Sequence, residues 1–400
     1  MKIGIITTWF ERGAAYVSKQ YEELLSQGHE VFIYARGGES YAKGDDLWDR
    51  PNVTWGRKAL FQTNDSPVSK RDFIKWIKKN DLELLFFNEQ QWWPPVLWAR
   101  DQGVVVGAYV DYYTEETVPL FGVYDFLICN TKRHLEAFDW HPEAHFVQWG
   151  TDVTLFKPGV KPAEDQEKVV FFCSVGMNPD RKGAKPLLDA FSKLTHPRAK
   201  LLLHTQVDLR KYYPQDAEFL DSLEDSGRLE IVTKSVTAPG LYYRGDVYVY
   251  ISKLDGIGLT LAEAAASGLP IITPNQPPMS EFVVDGETGK LVDVRRRYAR
   301  ADGYYWPQCE VNIDSLVEAL GSYADKFNEL ELLKSDARAV SEQRFDWNKN
   351  KNHLCRIFSE AKSSDVSTKE LEAIKRYEFR RMPYWPLLRL PYKIYKALRR

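Results

Sequence analysis

The chain has 400 residues, of which 44% are hydrophobic and 28% are charged. A chain of this length exceeds what one hydrophobic core usually organises, so the sequence predicts two domains. The formal net charge of -2 gives no electrostatic reason to expect nucleic acid as the main partner. An aromatic content of 14% fits a glycan or another small-molecule substrate, because aromatic faces commonly stack on sugar rings.

Residues 1–157 alternate short strand-like runs with helix-like segments. The strand-like runs are Lys2–Thr8, Glu30–Ala35, Leu82–Asn88, Val104–Val110 and Asp125–Asn130. Alternation of this kind is typical of a parallel sheet wrapped by helices. We therefore predict a first α/β domain that spans residues 1–157.

A stretch rich in Pro, Lys and Glu, residues 158–168, interrupts the pattern and indicates an interdomain linker. The alternation resumes with the runs Val169–Val175, Leu201–His204, Arg228–Thr233, Asp246–Ser252 and Leu269–Thr273. We predict a second doubly wound domain, residues 169–345, and a ligand cleft between the two sheets. Residues 346–362 are predicted to form a terminal helix. The sequence leaves open whether this helix crosses back to the first domain. A tail, residues 363–400, follows it.

The most informative stretch runs from Asp246 to Pro270. A buried strand is followed by a loop with Gly256 and Gly258, and a helix is predicted to begin near Leu259. The N–H groups at the start of that helix suit a phosphate, and the glycines let the phosphate come close.

Two carboxylates flank this loop. Asp255 lies before the predicted helix and Glu263 about one turn inside it, with seven residues between them. Carboxylates so placed accept hydrogen bonds from sugar and ribose hydroxyls. The alternative is an ordinary strand-to-helix turn with solvated acids, because short motifs often mislead.

The stretch Asp246–Pro270 resembles the E-x7-E donor signature of the family-four, or group 1, retaining glycosyltransferases with the GT-B fold. The resemblance covers most of the chain and includes the segments Thr7–Gly13, Gly150–Asp152, Leu155–Pro158, Arg181–Gly183 and Pro274–Gly289. It implies two Rossmann-like domains of doubly wound parallel sheets with a cleft between them. The first domain would serve the acceptor and the second the nucleotide-sugar donor.

The resemblance also assigns expected roles in donor binding. The second acid of the signature, here Glu263, would hold the nucleotide ribose. The first, here Asp255, would contact the transferred sugar and is shorter by one methylene than the usual Glu. The backbone that would hold sugar hydroxyls and phosphates comprises Gly256, Ile257, Gly258, Leu259 and Thr260.

Lys182 matches the lysine that holds donor phosphate in this family. A flexible cation there can neutralise charge that develops on the departing nucleoside diphosphate. The alternative is a solvated lysine that opens a helix, where the macrodipole mildly disfavours a cation. The family usually has an Arg five residues earlier, and this chain has Met177. Arg181 is a candidate substitute, or else a surface residue.

Two residues of the first domain complete the predicted site. Gly13 follows the first strand in a loop similar to the family's glycine-rich loop, where an anion can approach the backbone. Many family members have a His after the strand Val104–Val110, whereas this chain has Asp111. Asp111 could accept the acceptor hydroxyl's proton, hydrogen-bond the donor sugar, or simply cap the next turn. The segment Asn88–Trp93 is a candidate acceptor surface, or else helix capping with buried Trp.

The sequence gives no indication of a metal or a cofactor. It lacks the D-x-D motif by which the other major glycosyltransferase architecture holds a divalent ion, so we expect no metal, with the nucleotide sugar as substrate. No C-x-x-C pair occurs among the widely spaced Cys129, Cys173, Cys309 and Cys355. No segment reaches about 18 apolar residues, so we expect a cytoplasmic chain.

The end of the tail is basic and aromatic, which suggests a peripheral membrane contact at the inner face. Residues 380–400 have no acids and contain Arg380, Arg381, Arg389, Lys393, Lys396, Arg399 and Arg400. Such a segment can rest on anionic lipid. Alternatively the tail packs back on the first domain, because Trp and Tyr anchors serve both purposes.

Together these features predict a metal-independent, retaining hexosyltransferase. It would move a sugar from a UDP or GDP donor to a hydroxyl of a glycan or lipid-linked acceptor, in cell-surface polysaccharide or glycolipid assembly. The predicted catalytic residues are Asp111, Lys182 and Asp255. One alternative is a sugar-nucleotide epimerase of the same fold. Another is a catalytically silent donor-binding partner of a second transferase, which the missing His and Arg favour.

Overall fold

The structure is a computed structural model, and it describes residues 1–36, 42–57, 66 and 68–381. The chain forms two compact units. The first comprises residues 1–130, 134–147 and 351 onward, and the second comprises residues 131–133 and 148–350. Each unit contains one parallel sheet, so the predicted fold class of two doubly wound α/β domains is confirmed. The predicted linker, residues 158–168, lies within the second unit.

In the described residues, the first unit has a seven-stranded sheet with the order β3-β2-β1-β4-β5-β6-β7. Its strands are β1 Lys2–Thr7, β2 Glu30–Ala35, β3 Val53–Trp55, β4 Leu84–Asn88, β5 Val105–Tyr109, β6 Phe126–Cys129 and β7 Ala144–Phe146. The central strands β1 and β4 are almost wholly buried apolar runs, as expected for a parallel sheet covered on both faces. The sequence did not predict β3 and β7, whose three half-buried residues are too few to show a period.

Helices connect these parallel strands. They are α1 Gly13–Leu25, α2 Lys70–Asn80, α3 Pro94–Arg100 and α4 Lys132–Ala137. In α1 the buried face includes Val17, Tyr21 and Leu25, at the spacing that the helical period requires. A short 3-10 helix, Val118–Val123, follows β5.

In the second unit, the sheet of described residues has six parallel strands in the order β10-β9-β8-β11-β12-β13. The strands are β8 Val169–Gly176, β9 Ala199–Thr205, β10 Leu229–Thr233, β11 Val247–Val249, β12 Ile271–Pro274 and β13 Gly289–Val292. The order reverses between β8 and β11, so the segments that follow these two strands diverge and leave a crevice at their carboxyl ends. That crevice contains the loops singled out in the sequence.

The second unit also has an antiparallel hairpin that the sequence did not predict. Its strands are β14 Val294–Tyr298 and β15 Gln308–Val311. The backbone N–H of Cys309 donates to the carbonyl of Lys253 at 2.8 Å. This bond fastens the hairpin to the loop that follows β11.

Helices cover both faces of the second sheet. They are α5 Ala184–Lys193, α6 Leu209–Tyr212, α7 Ala217–Asp225, α8 Leu259–Ala266, α9 Ile313–Asp325 and α10 Leu330–Arg344. On one face α5 and α9 form a common core with β8, in which Leu187, Phe191, Leu316 and Leu320 are fully buried. Burial of this kind fixes the start of α5, and with it the loop that carries Lys182.

The last helices are α11 Trp347–Glu360 and α12 Thr368–Arg381. Phe358 of α11 packs against Phe86 and Phe126 of the first sheet, with ring centroids at 5.0 and 5.2 Å. The Glu378 carboxylate of α12 accepts from the Trp93 backbone N–H at 3.0 Å. The tail up to Arg381 therefore packs on the first unit. The rest of the segment predicted to face a membrane, residues 382–400, lies outside the described residues.

Replacement of Phe358 by Ala should destabilise the first unit by about 3–5 kcal/mol, because it leaves a cavity between two rings of the sheet. Chemical denaturation followed by tryptophan fluorescence measures the change in unfolding free energy. Ser359→Ala, at an exposed neighbouring position of α11, is the control and should change it by less than about 0.5 kcal/mol. Equal stability of the two variants would contradict this packing.

Candidate functional site

The candidate site is formed by two strand-to-helix loops of the second unit. One loop joins β8 to α5 and carries Arg181 and Lys182, and the other joins β11 to α8 and carries Asp255. Because β8 and β11 are neighbours in the sheet, both loops leave the same edge at the point where the strand order reverses. Open parallel sheets bind ligands at this position.

Two glycines let the loops come together. Gly183 and Gly258 precede α5 and α8 in the left-handed conformation, with φ of 75° and 72°. A Cβ on Gly183 would clash with the carbonyl oxygen of Ile251, and one on Gly258 would lie 2.5 Å from the ring of Phe282. Glycine is therefore required at both positions by space as well as by backbone conformation.

A compact polar cluster connects the two loops. The Lys182 ammonium donates to the Asp255 carboxylate at 3.0 Å and also to the hydroxyl of Tyr250. The hydroxyl of Tyr250 in turn donates to the same oxygen of Asp255, Oδ2. The side chains of Lys182 and Asp255 are 17% and 12% exposed, so this ion pair is largely screened from solvent.

The other carboxylate oxygen of Asp255 shapes the turn before α8. Oδ1 accepts from the backbone N–H of Gly258 at 2.9 Å and of Ile257 at 3.2 Å. Burial by itself would raise the pKa of Asp255, but Lys182, Arg181 and the donated hydrogen bonds hold it well below its ordinary value. Asp255 is therefore ionised throughout the neutral range.

Glu263 has a different environment from Asp255. It lies in the second turn of α8 and accepts a hydrogen bond of 2.6 Å from the hydroxyl of Tyr242. Burial raises the pKa of Glu263 to about 7, although the bond from Tyr242 and the charge of Lys182 act in the opposite direction. Glu263 thus titrates near neutral pH.

Other predicted donor-binding residues surround this cluster. The guanidinium of Arg181 donates to the Leu254 carbonyl at 3.1 Å, so it braces the loop before Asp255. Ile257 and Gly258 are buried, and their backbone N–H groups already bind Oδ1 of Asp255. Gly256 lies just before α8, Leu259 and Thr260 lie in its first turn, and all three are partly exposed. The structure thus brings all the predicted residues of the second unit together.

The sequence did not reveal several residues that hold this site. Arg133 donates to the carbonyls of Asp255 and Pro277, both at 2.7 Å. The backbone N–H groups of Lys132 and Arg133 bind the carboxylate of Glu281 at 2.7 and 3.0 Å. Lys132 and Arg133 lie more than a hundred positions before Asp255 in the sequence, and no motif marks them. Tyr242 and Tyr250 were also missed, since tyrosine next to a buried strand usually indicates packing.

The predicted residues of the first unit lie in its own loops. Gly13 is exposed and begins α1, directly after β1. Asp111 is half-buried and follows β5. The sequence has no His directly after β5, but the Tyr113 hydroxyl in the loop that follows this strand lies 2.7 Å from Nδ1 of His134. The sequence could not reveal this pair, because the two residues come from different elements.

The first and last residues of the segment Asn88–Trp93 are buried. Asn88 is 1% exposed and donates to the Ala14 carbonyl and the Ser18 hydroxyl, at 2.9 and 2.6 Å. Trp93 is 2% exposed and immediately precedes α3. The burial of both side chains argues against an acceptor surface at these two residues, and the alternative is confirmed only for the buried Trp, because neither side chain makes a capping hydrogen bond to α3.

The described part of the chain offers neither a cluster of metal-ligating side chains nor a helix that could span a membrane. It contains no group of three or more His, Cys, Asp or Glu side chains placed to hold a metal ion. None of its helices is both long enough and apolar enough to span a membrane.

Comparisons with known proteins agree with this arrangement. Residues 167–303 match the family model described as Glycosyl transferases group 1. The chain is 27% identical over 191 residues to D-inositol 3-phosphate glycosyltransferase of Arthrobacter sp. strain FB24, a match that covers 44% of this chain. That match spans only 45% of the length of the Arthrobacter protein. The predicted resemblance to group 1 glycosyltransferases is confirmed.

Solved structures show the same fold. The crystal structure of Anabaena HepE in complex with UDP superposes with a TM-score of 0.69 at 15% identity, and covers 90% of this chain and 99% of that one. A glycosyltransferase from Rickettsia africae gives a TM-score of 0.70 at 16% identity, over 91% and 99% of the two chains. The architecture is GT-B, as the sequence predicted.

Glu263→Gln should stabilise the protein most at high pH. The pKa of Glu263 is about 7 in the folded protein and 4.5 in its ordinary state. Between these pH values the folded protein binds more protons than the unfolded chain does, so the stability of the wild type falls as the pH rises from 4.5 to 7. Gln keeps an acceptor for Tyr242 and carries no charge. Its advantage should be small at pH 4.5 and grow to at most about 3 kcal/mol above pH 7. Thermal melting of both proteins from pH 4.5 to 8 measures this difference, and a constant difference would contradict a raised pKa.

Proposed function

We propose that this chain is a retaining glycosyltransferase that moves a hexose from a nucleoside diphosphate sugar to a hydroxyl of a glycan or lipid-linked acceptor. The observation that carries the proposal is that Lys182, Glu263 and the start of α8 lie together at the strand ends where the sheet order reverses, close enough for the charge of Lys182 to act on Glu263. Its chemistry fits a donor with a diphosphate and a ribose. The proposed setting is cell-surface polysaccharide or glycolipid assembly.

The diphosphate is proposed to bind between Lys182 and the start of α8. The positive end of a helix dipole and its N–H groups favour an anion. Gly256 is partly exposed and carries no side chain that would keep a phosphate from the backbone before α8. Lys182 adds a full positive charge at a largely buried position, where electrostatic interactions are stronger than in water.

The ribose is proposed to bind at Glu263. The hydroxyl of Tyr242 donates a hydrogen bond to one oxygen of the Glu263 carboxyl group, Oε2. The second oxygen stays available to accept from ribose hydroxyls. The complex of HepE with UDP supports a uridine nucleotide as the first donor to test, and GDP sugars are the second.

The reaction requires stabilisation of the departing nucleoside diphosphate. As the glycosidic bond breaks, negative charge develops on the diphosphate, and Lys182 is placed to offset it. For a retaining transfer, the donor phosphate itself is proposed to assist the acceptor hydroxyl, so no protein nucleophile is needed. Asp111 is proposed as the polar residue of the acceptor side, and the reaction is proposed to need no metal.

Purified protein incubated with UDP-glucose and other UDP or GDP hexoses should release nucleoside diphosphate, even with EDTA present. Lys182→Met should lower the rate about 100- to 1000-fold, because it removes one donor to the developing charge. Glu263→Ala should weaken donor binding. Released nucleotide is measured by a coupled assay, and NMR of the first-formed sugar should show the anomer of the donor.

Lys185→Met is the matched control. Lys185 lies three residues after Lys182, in the first turn of α5, but its ammonium pairs with Asp189 and Asp216, at 2.7 and 2.9 Å. The control should keep the wild-type rate. Full activity of Lys182→Met would contradict the proposed site, whereas conversion of the donor to an epimer without release of nucleotide would identify an epimerase.

A further inference from the structure

The carboxylate of Asp255 has no acceptor position left for a sugar. Among the described residues it accepts four hydrogen bonds: two at Oδ1 from the backbone N–H groups of Ile257 and Gly258, and two at Oδ2 from Lys182 and Tyr250. A carboxylate offers about four lone-pair positions in all. A sugar hydroxyl would therefore have to displace an existing donor.

Lys182, in contrast, retains a donor. An ammonium group has three N–H bonds, and in the described part of the chain two of them are used, by Asp255 and Tyr250. The third is available to a phosphate oxygen without loss of either existing bond. The cluster can thus bind a diphosphate as it stands.

The length of the side chain at position 255 fits this arrangement. Aspartate is short enough for Oδ1 to bind the backbone of its own turn, at Ile257 and Gly258, while Oδ2 faces Lys182. The hydroxyl of Tyr250 lies between Asp255 and Lys182 and bonds to both. Tyr250 is 1% exposed and stacks beside Tyr248, with ring centroids at 6.0 Å, so its hydroxyl has a fixed position.

We propose that Asp255 and Tyr250 are positioning residues that hold the Lys182 ammonium toward the donor diphosphate, and that Asp255 does not bind the transferred sugar. This inference rests on the proposed function for the identity of the ligand, but the arrangement of the three side chains does not depend on it. The specificity for the sugar must then come from other residues.

Charge provides an independent test. Burial lowers the pKa of Lys182, and the Asp255 carboxylate opposes that shift. The charged and titratable groups that face Lys182 are Asp255, Arg181, Cys173, Tyr250 and Glu263. Without the negative charge of Asp255, the ammonium should lose its proton at a lower pH than in the wild type.

The first experiment measures binding of UDP and of GDP, which have no sugar, by isothermal titration calorimetry at pH 7.5. Asp255→Asn should weaken nucleoside diphosphate binding about tenfold or more, and binding of the UDP or GDP hexose by the same factor. Tyr250→Phe, which keeps all charges and the ring, should weaken both by a smaller common factor. Unchanged diphosphate binding in Asp255→Asn, with loss confined to the sugar nucleotide, would overturn the proposal.

Asp216→Asn is the matched control for this experiment. Asp216 also pairs with a lysine of α5, Lys185, and its side chain is 14% exposed, close to the 12% of Asp255. The control should bind nucleotides as the wild type does. Weaker binding in the control as well would show a general effect of lost ion pairs and would overturn the specific role of Asp255.

The second experiment needs no ligand, so it separates this inference from the proposed function. The pKa of Lys182 is measured by NMR of protein labelled at lysine Nζ, with Lys182→Arg to assign the signal. We expect a lower pKa of Lys182 in Asp255→Asn, and a smaller change in Tyr250→Phe. Equal values in all folded variants would overturn the proposal, whereas a wild type that binds no nucleotide would contradict only the proposed function.

Discussion

The buried carboxylate of Asp255 is the constraint on which the site depends. Its hydrogen bonds tie the end of β11, the start of α8 and the loop before α5 to one side chain. A largely buried charge is tolerated only when it is paired and fully hydrogen-bonded, and removal of one partner from such a pair costs about 3–5 kcal/mol. Each side chain of the polar cluster therefore holds the other two in position, and the cluster as a whole fixes how the two loops are arranged.

The topology of the sheet decides where this cluster can form. β8 and β11 are adjacent and parallel, so their carboxyl ends meet, although about 70 residues separate them in the chain. The loops still have to approach within hydrogen-bond distance, and Gly183 makes this possible because any side chain there would meet the backbone of Ile251. The packing of α5 on α9 then holds the Lys182 loop in place. Fold and site are thus linked by a few short-range contacts.

The sequence predicted those parts of the molecule whose structure depends on residues close together in the chain. The strand-loop-helix segment with Asp255 and Glu263 and the lysine before α5 are short motifs, and both lie where they were expected. Strands such as β3 and β7 were missed because three residues show no period, and the β14–β15 hairpin because its alternation is short. Arg133 and Tyr242 were missed for another reason: their roles come from tertiary contacts that leave no mark at their own positions. The sequence shows which residue types are present, but it does not show which distant residues meet in the fold, and this limited the prediction of the site.

The two acids of the signature differ in their electrostatics although they lie in one loop and helix. Asp255 is surrounded by cations and donors and remains ionised, whereas burial brings the pKa of Glu263 to about 7 with Tyr242 as its hydrogen-bond donor. Pairs of acids whose environments separate their pKa values usually serve separate roles. An anionic diphosphate near Glu263 would favour its protonated form, and ribose hydroxyls that donate to it would favour the ionised form. The charge of the site near neutral pH therefore depends on Glu263, while the Asp255 carboxylate opposes the lowering of the Lys182 pKa by burial.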